Sequence, residues 1–232
     1  MTWIAGVDGC RFGWISALRD VESGRIETLV TSRFAELLAP PYKPRIVAVD
    51  MPVGLSDGAP RVADFEARRL LGPRRSSVFP TPVRAAIDAT DYEEANAASR
   101  RVSGKGIVRQ SFNLIGKIRE VEASALEAGT GRIYECHPEL CFLAMNGGQP
   151  LAAYKKTPEG LRQRRRLLEA ALGPGVGPVI VAAAKATGVG LDDVHDALAT
   201  LWSAGRILRG ESERVPAGTP RDSLGLPMEI NY

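Results

Sequence analysis

Four aspartates stand where they could meet around a metal ion. Asp8 and Asp50 each end a short apolar run that is typical of a β-strand. Asp193 and Asp196 are three residues apart in a late helical segment, so they lie on one face of that helix. Mg²⁺ and Mn²⁺ prefer carboxylate oxygens, and two such ions about 4 Å apart can support cleavage of a phosphodiester bond. We therefore predict that these four aspartates bind divalent metal.

Capping is the alternative explanation for these aspartates. Asp8 and Asp50 could each cap the turn after its strand. Asp192 is predicted as the N-cap of the last helix, where Asp193 would gain from the helix dipole. Capping does not explain Asp196, because its neighbours are apolar or small. A carboxylate on an apolar stripe is costly unless it is paired or metal-bound.

A second candidate group follows another predicted strand, in the segment 135–139. Glu135 could add a metal ligand, and His137 could act as a general acid or base. An ordinary strand exit, with Pro138 starting a helix, explains the same residues equally well. The nearby cysteines lack the paired spacing of a structural zinc site, so we do not expect zinc.

The loop around residues 74–84 combines arginines, serines and prolines. A rigid loop that presents forked cations and hydroxyl groups suits phosphate binding. We predict that Arg75, Arg84 and Ser77 contact a substrate phosphate. The arginine runs at 100–101 and 164–166 are better explained as solvated helix faces.

The pattern of apolar runs predicts an α/β fold. Three runs separated by short turns favour an antiparallel meander, and the near-continuous run of the fourth indicates a central parallel strand. The predicted strands are Trp3–Val7, Gly13–Leu18, Arg25–Val30, Arg45–Asp50 and Arg132–Cys136.

Helices are predicted between and after these strands. Thr157 is predicted as an N-cap, with Pro158 at the first helical position. We interpret the Arg- and Pro-rich segment at about 56–131 as a mostly helical insertion over the sheet of a single domain, 1–232. The predicted helices are Phe34–Leu38, Ala59–Leu71, Asp91–Val102, Ser111–Ala128, Glu159–Leu172, Val179–Thr187 and Asp193–Arg209.

The composition limits the classes of protein that the chain could represent. Its 232 residues, 44% hydrophobic and with a net charge of +3, fit one globular domain. No apolar run is long enough to cross a membrane, no signal peptide is evident, and three scattered cysteines favour a reducing compartment. We expect a cytoplasmic protein that does not bind membranes. The sequence leaves a homodimer open.

The order of these elements resembles the ribonuclease-H-like fold, a mixed sheet with a three-strand meander, parallel strands and flanking helices. A late helix that carries Asp193-x-x-Asp196-Ala197-Leu198-Ala199 resembles the final helix of the RuvC-type Holliday-junction resolvases. Nearly the whole chain resembles the domain-of-unknown-function 429 (DUF429) family, described as predicted ribonuclease-H-like nucleases. One departure is Asp50, because the RuvC pattern usually has Glu there. The segments that carry the family resemblance are 7–10, 50–55, 75–84, 135–139 and 192–197.

The resemblance implies a nuclease that depends on Mg²⁺ or Mn²⁺ and acts on DNA or RNA. Asp8, Asp50, Asp193 and Asp196 would be its catalytic carboxylates, with Glu135 as a candidate fifth. One alternative is an actin-like ATP-dependent phosphotransferase, with Asp50 as a base, although the chain is short for a two-lobed ATPase. The other is a non-catalytic binding protein that retains the fold, which the small net charge mildly favours.

Overall fold

A single five-stranded sheet lies between two layers of helices in the computed structural model, which describes residues 1–232. The strand order is β3-β2-β1-β4-β5. Strands β1 to β3 form an antiparallel meander, and β4 and β5 run parallel to β1. The predicted α/β class and mixed sheet are confirmed. The strands are β1 (Trp3–Cys10), β2 (Gly13–Asp20), β3 (Ile26–Thr31), β4 (Ile46–Val49) and β5 (Ile133–Glu135).

Nine α-helices and two short 3-10 turns, at Gly72–Ser77 and Arg84–Ala86, complete the two helical layers with a C-terminal hairpin. None of the helices has both the length and the apolar character needed to cross a bilayer. The helices are α1 (Phe34–Leu37), α2 (Val62–Leu71), α3 (Tyr92–Ser103), α4 (Arg109–Asn113), α5 (Ile115–Ala128), α6 (Pro138–Met145), α7 (Pro158–Leu172), α8 (Val176–Thr187) and α9 (Leu191–Arg209).

The predicted helices are present, although α2 begins three residues later than predicted, at Val62, and α8 three residues earlier, at Val176. The helix predicted at Ser111–Ala128 is divided at Leu114 into α4 and α5. Pro138 begins a helix, α6, as the strand-exit interpretation required. Thr157 caps α7 as predicted, because its side chain accepts a hydrogen bond from the backbone N–H of Gly160.

The two faces of the sheet bury alternate residues of each strand, as the period of a β-strand requires. On β1, Ile4 and Cys10 belong to the core beneath α6 to α9, whereas Ala5 and Val7 belong to the core beneath α1 and α5. Asp8 has the same parity as Ile4 and therefore lies on the α9 side. The strand alternation thus decides which helix can share a site with Asp8.

The helical segment at 56–131 contributes to both of these cores. Helix α2 buries Ala67 and Leu71 with α6 and α9, whereas α5 buries Ile118 and Val121 on the opposite face. The segment therefore passes from one face of the sheet to the other, and it does not lie over the sheet as a separate layer.

The C-terminal residues pack against the exit of β5 and the loop after β4. Strands β6 (Arg214–Val215) and β7 (Ile230–Asn231) form an antiparallel pair, and Asn231 bridges to Cys136. Asp222 accepts hydrogen bonds from the backbone N–H groups of Leu55 and Leu226. These contacts hold the chain that follows Asp50 in place.

Helix α9 approaches β1 unusually closely at Gly6. A Cβ atom at this position would lie 1.9 Å from the backbone N of Leu201 and 2.2 Å from the carbonyl O of Ala197. Those atoms belong to the helix backbone, so they cannot move aside as the end of a side chain could. Glycine at position 6 therefore sets the distance between the helix and the sheet.

We predict that Gly6→Ala lowers the free energy of unfolding by about 3 kcal/mol, because the added methyl group pushes α9 away from the sheet. Gly116→Ala is the matched control, since Gly116 lies in α5 and a methyl group added there would have nothing within 4 Å. That control should be neutral or gain up to about 1 kcal/mol. Urea denaturation measures the free energy of unfolding of both variants. A Gly6→Ala protein that is as stable as the wild type would contradict the close approach of α9 to β1.

Candidate metal centre

Asp8, Asp50 and Asp196 come together on the α9 side of the sheet. One carboxylate oxygen from each lies within 4.8 Å of the others. Asp8 is in β1, and Asp50 follows β4 directly, where its backbone N–H donates to the carbonyl of Val7 at 2.9 Å. Asp196 lies in the second turn of α9. The parallel pairing of β1 with β4 and the approach of α9 thus bring together three of the four predicted aspartates.

The three carboxylates have few protein partners of their own. Asp8 accepts a hydrogen bond from the N–H of Gly9 at 2.7 Å. Asp196 is almost fully buried, and its Oδ1 has no hydrogen-bond partner. Buried carboxylate oxygens are normally hydrogen-bonded or bound to a cation, so this oxygen is available to bind one.

Burial and mutual repulsion disfavour the charged form of these groups. Burial, together with the charges of Asp50 and Asp196, holds the pKa of Asp8 well above its ordinary value. Burial raises the pKa of Asp196 to about 6, although Lys155 opposes this shift. The pKa of Asp50 is also raised by burial. The group therefore repels itself when it is fully ionised, and a divalent cation would relieve that repulsion.

Lys155 supplies one positive charge to the group. Its Nζ lies 2.5 Å from Asp196 Oδ2. Burial disfavours the ammonium, but attraction to Asp196, Asp8 and Asp50 outweighs it and raises the pKa of Lys155 above its ordinary value. One ammonium cannot balance three carboxylates. The charge that remains when all three are ionised is that of two carboxylates, which matches one divalent ion.

Asp193 and Asp192 lie beside the group rather than in it. Asp193 is partly buried, and its charge contributes to the raised pKa of Asp8. Burial and the charge of Asp192 raise the pKa of Asp193. The N-cap role predicted for Asp192 is wrong, because Gly190 is the N-cap of α9 and Asp192 lies inside the first turn. The Asp192 carboxylate is 3.7 Å from Lys156.

Glu135 is bound by Arg61 and is not part of the close group of three aspartates. Arg61 donates from Nη1 to Glu135 Oε2 at 2.8 Å and from Nη2 to Oε1 at 2.5 Å, and Val53 N–H adds a bond of 3.0 Å. Arg61 also binds Asp64 at 2.7 Å. Because both Glu135 oxygens are already engaged, the ligand role predicted for Glu135 is replaced by a structural one.

His137 lies next to the carboxylates with one ring nitrogen unused. Its Nε2 is 3.3 Å from the carbonyl O of Ser77, whereas its Nδ1 is buried without a partner. A neutral ring that donates from Nε2 would leave Nδ1 as a proton acceptor. The predicted acid or base role therefore keeps a geometric basis.

The predicted phosphate-binding residues separate in the structure. Arg84 binds Asp222 at 2.6 Å and Glu122 at 2.9 Å, so its guanidinium stabilises the C-terminal tail and the predicted phosphate role is replaced. Arg75 is exposed to solvent. Ser77 lies at the site, where its hydroxyl donates to the carbonyl of Arg74 at 2.9 Å.

Two cavities meet at the carboxylates. The first lies between β1, α5 and the loop after α2, has largely apolar walls, and includes Asp8 and Asp50. The second is polar and includes Asp50, Asp196, Arg74 and Lys155. Arg74 and Lys155 were not among the predicted site residues. Lys155 stands in an aperiodic polar stretch 41 residues before Asp196, so spacing could not have linked the two.

A family model described as "Protein of unknown function (DUF429)" matches residues 6–221. The chain therefore belongs to this family, as its motifs indicated. No curated protein and no solved structure matches it.

We predict that Asp8→Asn stabilises the metal-free protein at neutral pH. The amide keeps an acceptor for Gly9 N–H but removes a buried, repelled charge. Because folding raises the pKa of Asp8 above 3.8, the wild type loses stability as the pH rises above about 4, and the variant lacks that part of the loss. The expected gain at pH 7.5 is at least about 1.4 kcal/mol, equivalent to one pKa unit.

Urea denaturation in EDTA at several pH values checks this prediction. A variant that is less stable than the wild type at pH 7.5, with an unchanged slope against pH, contradicts it. Asp88→Asn is the control, because this side chain is exposed and lies outside the carboxylate group, so the substitution should leave the slope unaltered.

We predict that Glu135→Gln, unlike Asp8→Asn, destabilises the protein. Loss of its charge leaves Arg61 partly unpaired in the core and should lower the free energy of unfolding by about 3 kcal/mol. Stabilisation by Mn²⁺, measured as the rise in Tm on adding the ion, should remain as large as in the wild type. If Glu135→Gln folds but its Tm no longer rises when Mn²⁺ is added, Glu135 is a metal ligand and the prediction is wrong.

Proposed function

We propose that this member of the DUF429 family is a divalent-metal-dependent nuclease that hydrolyses phosphodiester bonds in nucleic acid. The observation that carries the proposal is the group formed by Asp8, Asp50 and Asp196, whose carboxylate oxygens lie within 4.8 Å of one another. Burying three carboxylates together without a cation costs free energy of folding. Clusters of buried acidic groups with shifted pKa values are found mainly at functional sites.

The donor set fits Mg²⁺ or Mn²⁺. All three side chains offer oxygen atoms, which these ions prefer, and the buried Oδ1 of Asp196 is left without any protein donor. A divalent cation bound there would supply Lewis-acid polarisation of a phosphodiester and would make water more acidic. Asp193, one turn before Asp196, is close enough to influence Asp8 and is a candidate for a second ion or its water shell.

The topology supports the ribonuclease-H-like part of the proposal. The order β3-β2-β1-β4-β5, with an antiparallel meander followed by parallel strands, agrees with the resemblance. The acidic residues stand on β1, directly after β4 and on the last long helix, where that resemblance would place them. Asp50 is one methylene shorter than the glutamate typical of RuvC-type enzymes, yet it still lies within 4.8 Å of Asp8 and Asp196.

The remaining side chains at the site fit a substrate phosphate and a nucleophilic water. Arg74 and Lys155 line the polar cavity and would neutralise phosphate charge. Because Lys155 is already paired with Asp196, its ammonium would be shared between that carboxylate and the phosphate. His137 Nδ1 would accept a proton from water, while Ser77 fixes the opposite ring nitrogen.

We predict cleavage of labelled nucleic acid in the presence of Mn²⁺ or Mg²⁺ and none in EDTA. The substrates are single-stranded DNA and RNA, duplexes and branched junctions. Asp196→Asn should lower the rate more than about 100-fold, because removing a ligand exceeds the effect typical of outer-shell groups. Asp192→Asn should cut at the wild-type rate. Absence of cleavage on every substrate, or an active Asp196→Asn variant, contradicts the proposal.

A further inference from the structure

The apolar cavity beside Asp8 and Asp50 has a feature that metal binding does not explain. Phe79, on its rim, is 41% exposed, although it stands next to a charged site. The cavity and the polar cleft both include Phe79, Asp50 and His137. The ring therefore lies where the cavity with largely apolar walls meets the polar cavity that contains Arg74 and Lys155.

The backbone around Phe79 is anchored on both sides. The carbonyl of Val78 accepts from Arg68 Nη2 at 2.8 Å, and the carbonyl of Pro80 accepts from Ser111 Oγ at 2.6 Å. The N–H of Thr81 donates to Asp64 Oδ2 at 2.9 Å. Exposure of the Phe79 ring thus belongs to a rigid loop, and a preorganised apolar surface loses little entropy when a ligand binds.

The two sides of the site match the two halves of a nucleotide. Apolar walls formed by Val78, Pro82 and Leu114 suit a flat aromatic base, whereas Arg74 and Lys155 across the carboxylates suit a phosphate. Lys117 also lines the apolar cavity, but its ammonium donates to the carbonyl of Gly13. Along a bound nucleotide, the base would lie in the apolar cavity, the carboxylates would follow, and Arg74 and Lys155 would face the phosphate.

We infer that this cavity binds a nucleobase stacked on Phe79, so that the substrate is a strand with an unpaired nucleotide at the scissile bond. The inference rests on the proposed nuclease function and specifies its substrate class. A base within a duplex is stacked on both faces and paired along its edge, so it cannot enter such a cavity without being flipped out. A protein that binds double-stranded nucleic acid would instead need a broad basic face. The net charge of the whole chain is only +3.

The test uses an eight-nucleotide DNA strand with 2-aminopurine at its centre, because stacking quenches the fluorescence of this base. Binding is titrated in Ca²⁺, an ion that prefers oxygen ligands as Mg²⁺ does. The readout is the fluorescence of the bound strand, so it needs no cleavage. The same strand is presented alone and paired with its complement. We expect quenching and tighter binding with the single strand only.

Variants assign the effect to the ring. Phe79→Ala should weaken binding about tenfold to hundredfold, the usual range for loss of one base–aromatic stack, and should abolish the quenching. Phe79→Tyr should restore both. Phe65→Ala is the matched control, because Phe65 on α2 is 69% exposed but lies outside the cavity. It should bind as the wild type does.

Cleavage of the same strand in Mn²⁺ is measured separately, so the two proposals can fail independently. If quenching depends on Phe79 but the strand is not cleaved, the result supports the base-binding cavity and contradicts the nuclease function. Cleavage that is indifferent to Phe79→Ala, or equal binding of the single strand and the duplex, overturns the base cavity and leaves the nuclease function. Absence of binding by the wild type overturns the inference outright.

Discussion

Helix α9 can lie against strand β1 only because residue 6 has no side chain. The helix backbone at Ala197 and Leu201 occupies the space where a Cβ would stand. Asp196 immediately precedes Ala197, and Asp8 is two residues after Gly6 on the same face of β1. The contact that packs the core therefore also determines how far apart the two carboxylates lie. Packing and site geometry depend on the same few atoms.

Two buried acidic groups near this edge of the sheet differ in their charge balance. Glu135 and Asp64 share Arg61, whose guanidinium binds both carboxylates at 2.7 Å or less. Asp8, Asp50 and Asp196 have only Lys155 as a close cation, and Asp196 Oδ1 has no partner at all. In the first group both carboxylates bind the guanidinium directly, so the network closes within the fold although one negative charge remains. In the second, two negative charges remain when all three aspartates are ionised, and this larger deficit of positive charge is the physical basis of the metal proposal.

Patterns that depend on local periodicity were predictable from the sequence. The strands, most helices and the Thr157 cap follow from runs of apolar residues and from capping preferences. Asp8 and Asp50 could be placed at one edge because each follows a β-prone run, and neighbouring parallel strands align those positions. Asp196 was identifiable because a charged residue interrupts an apolar helix face.

Contacts between distant parts of the chain were not predictable in the same way. Arg61 reaches Glu135 across 74 residues, and Arg84 reaches Asp222 across 138. No spacing rule links such pairs, so the sequence could not separate Glu135 and Arg84 from the aspartates that gather at the candidate site. The importance of Gly6 also required the structure, because a glycine within a strand pattern does not reveal which backbone approaches it. Lys155 lies in a loop without periodicity, and only the fold brings it to Asp196.

A crystal structure of the protein soaked in Mn²⁺, with anomalous diffraction recorded for manganese, tests the central claim most directly. The account predicts an anomalous peak in contact with carboxylate oxygens of Asp8, Asp50 and Asp196, with the unpartnered Oδ1 of Asp196 among the ligands. A well-ordered site in which the three carboxylates hold no manganese, and Lys155 remains their only cation, would contradict it.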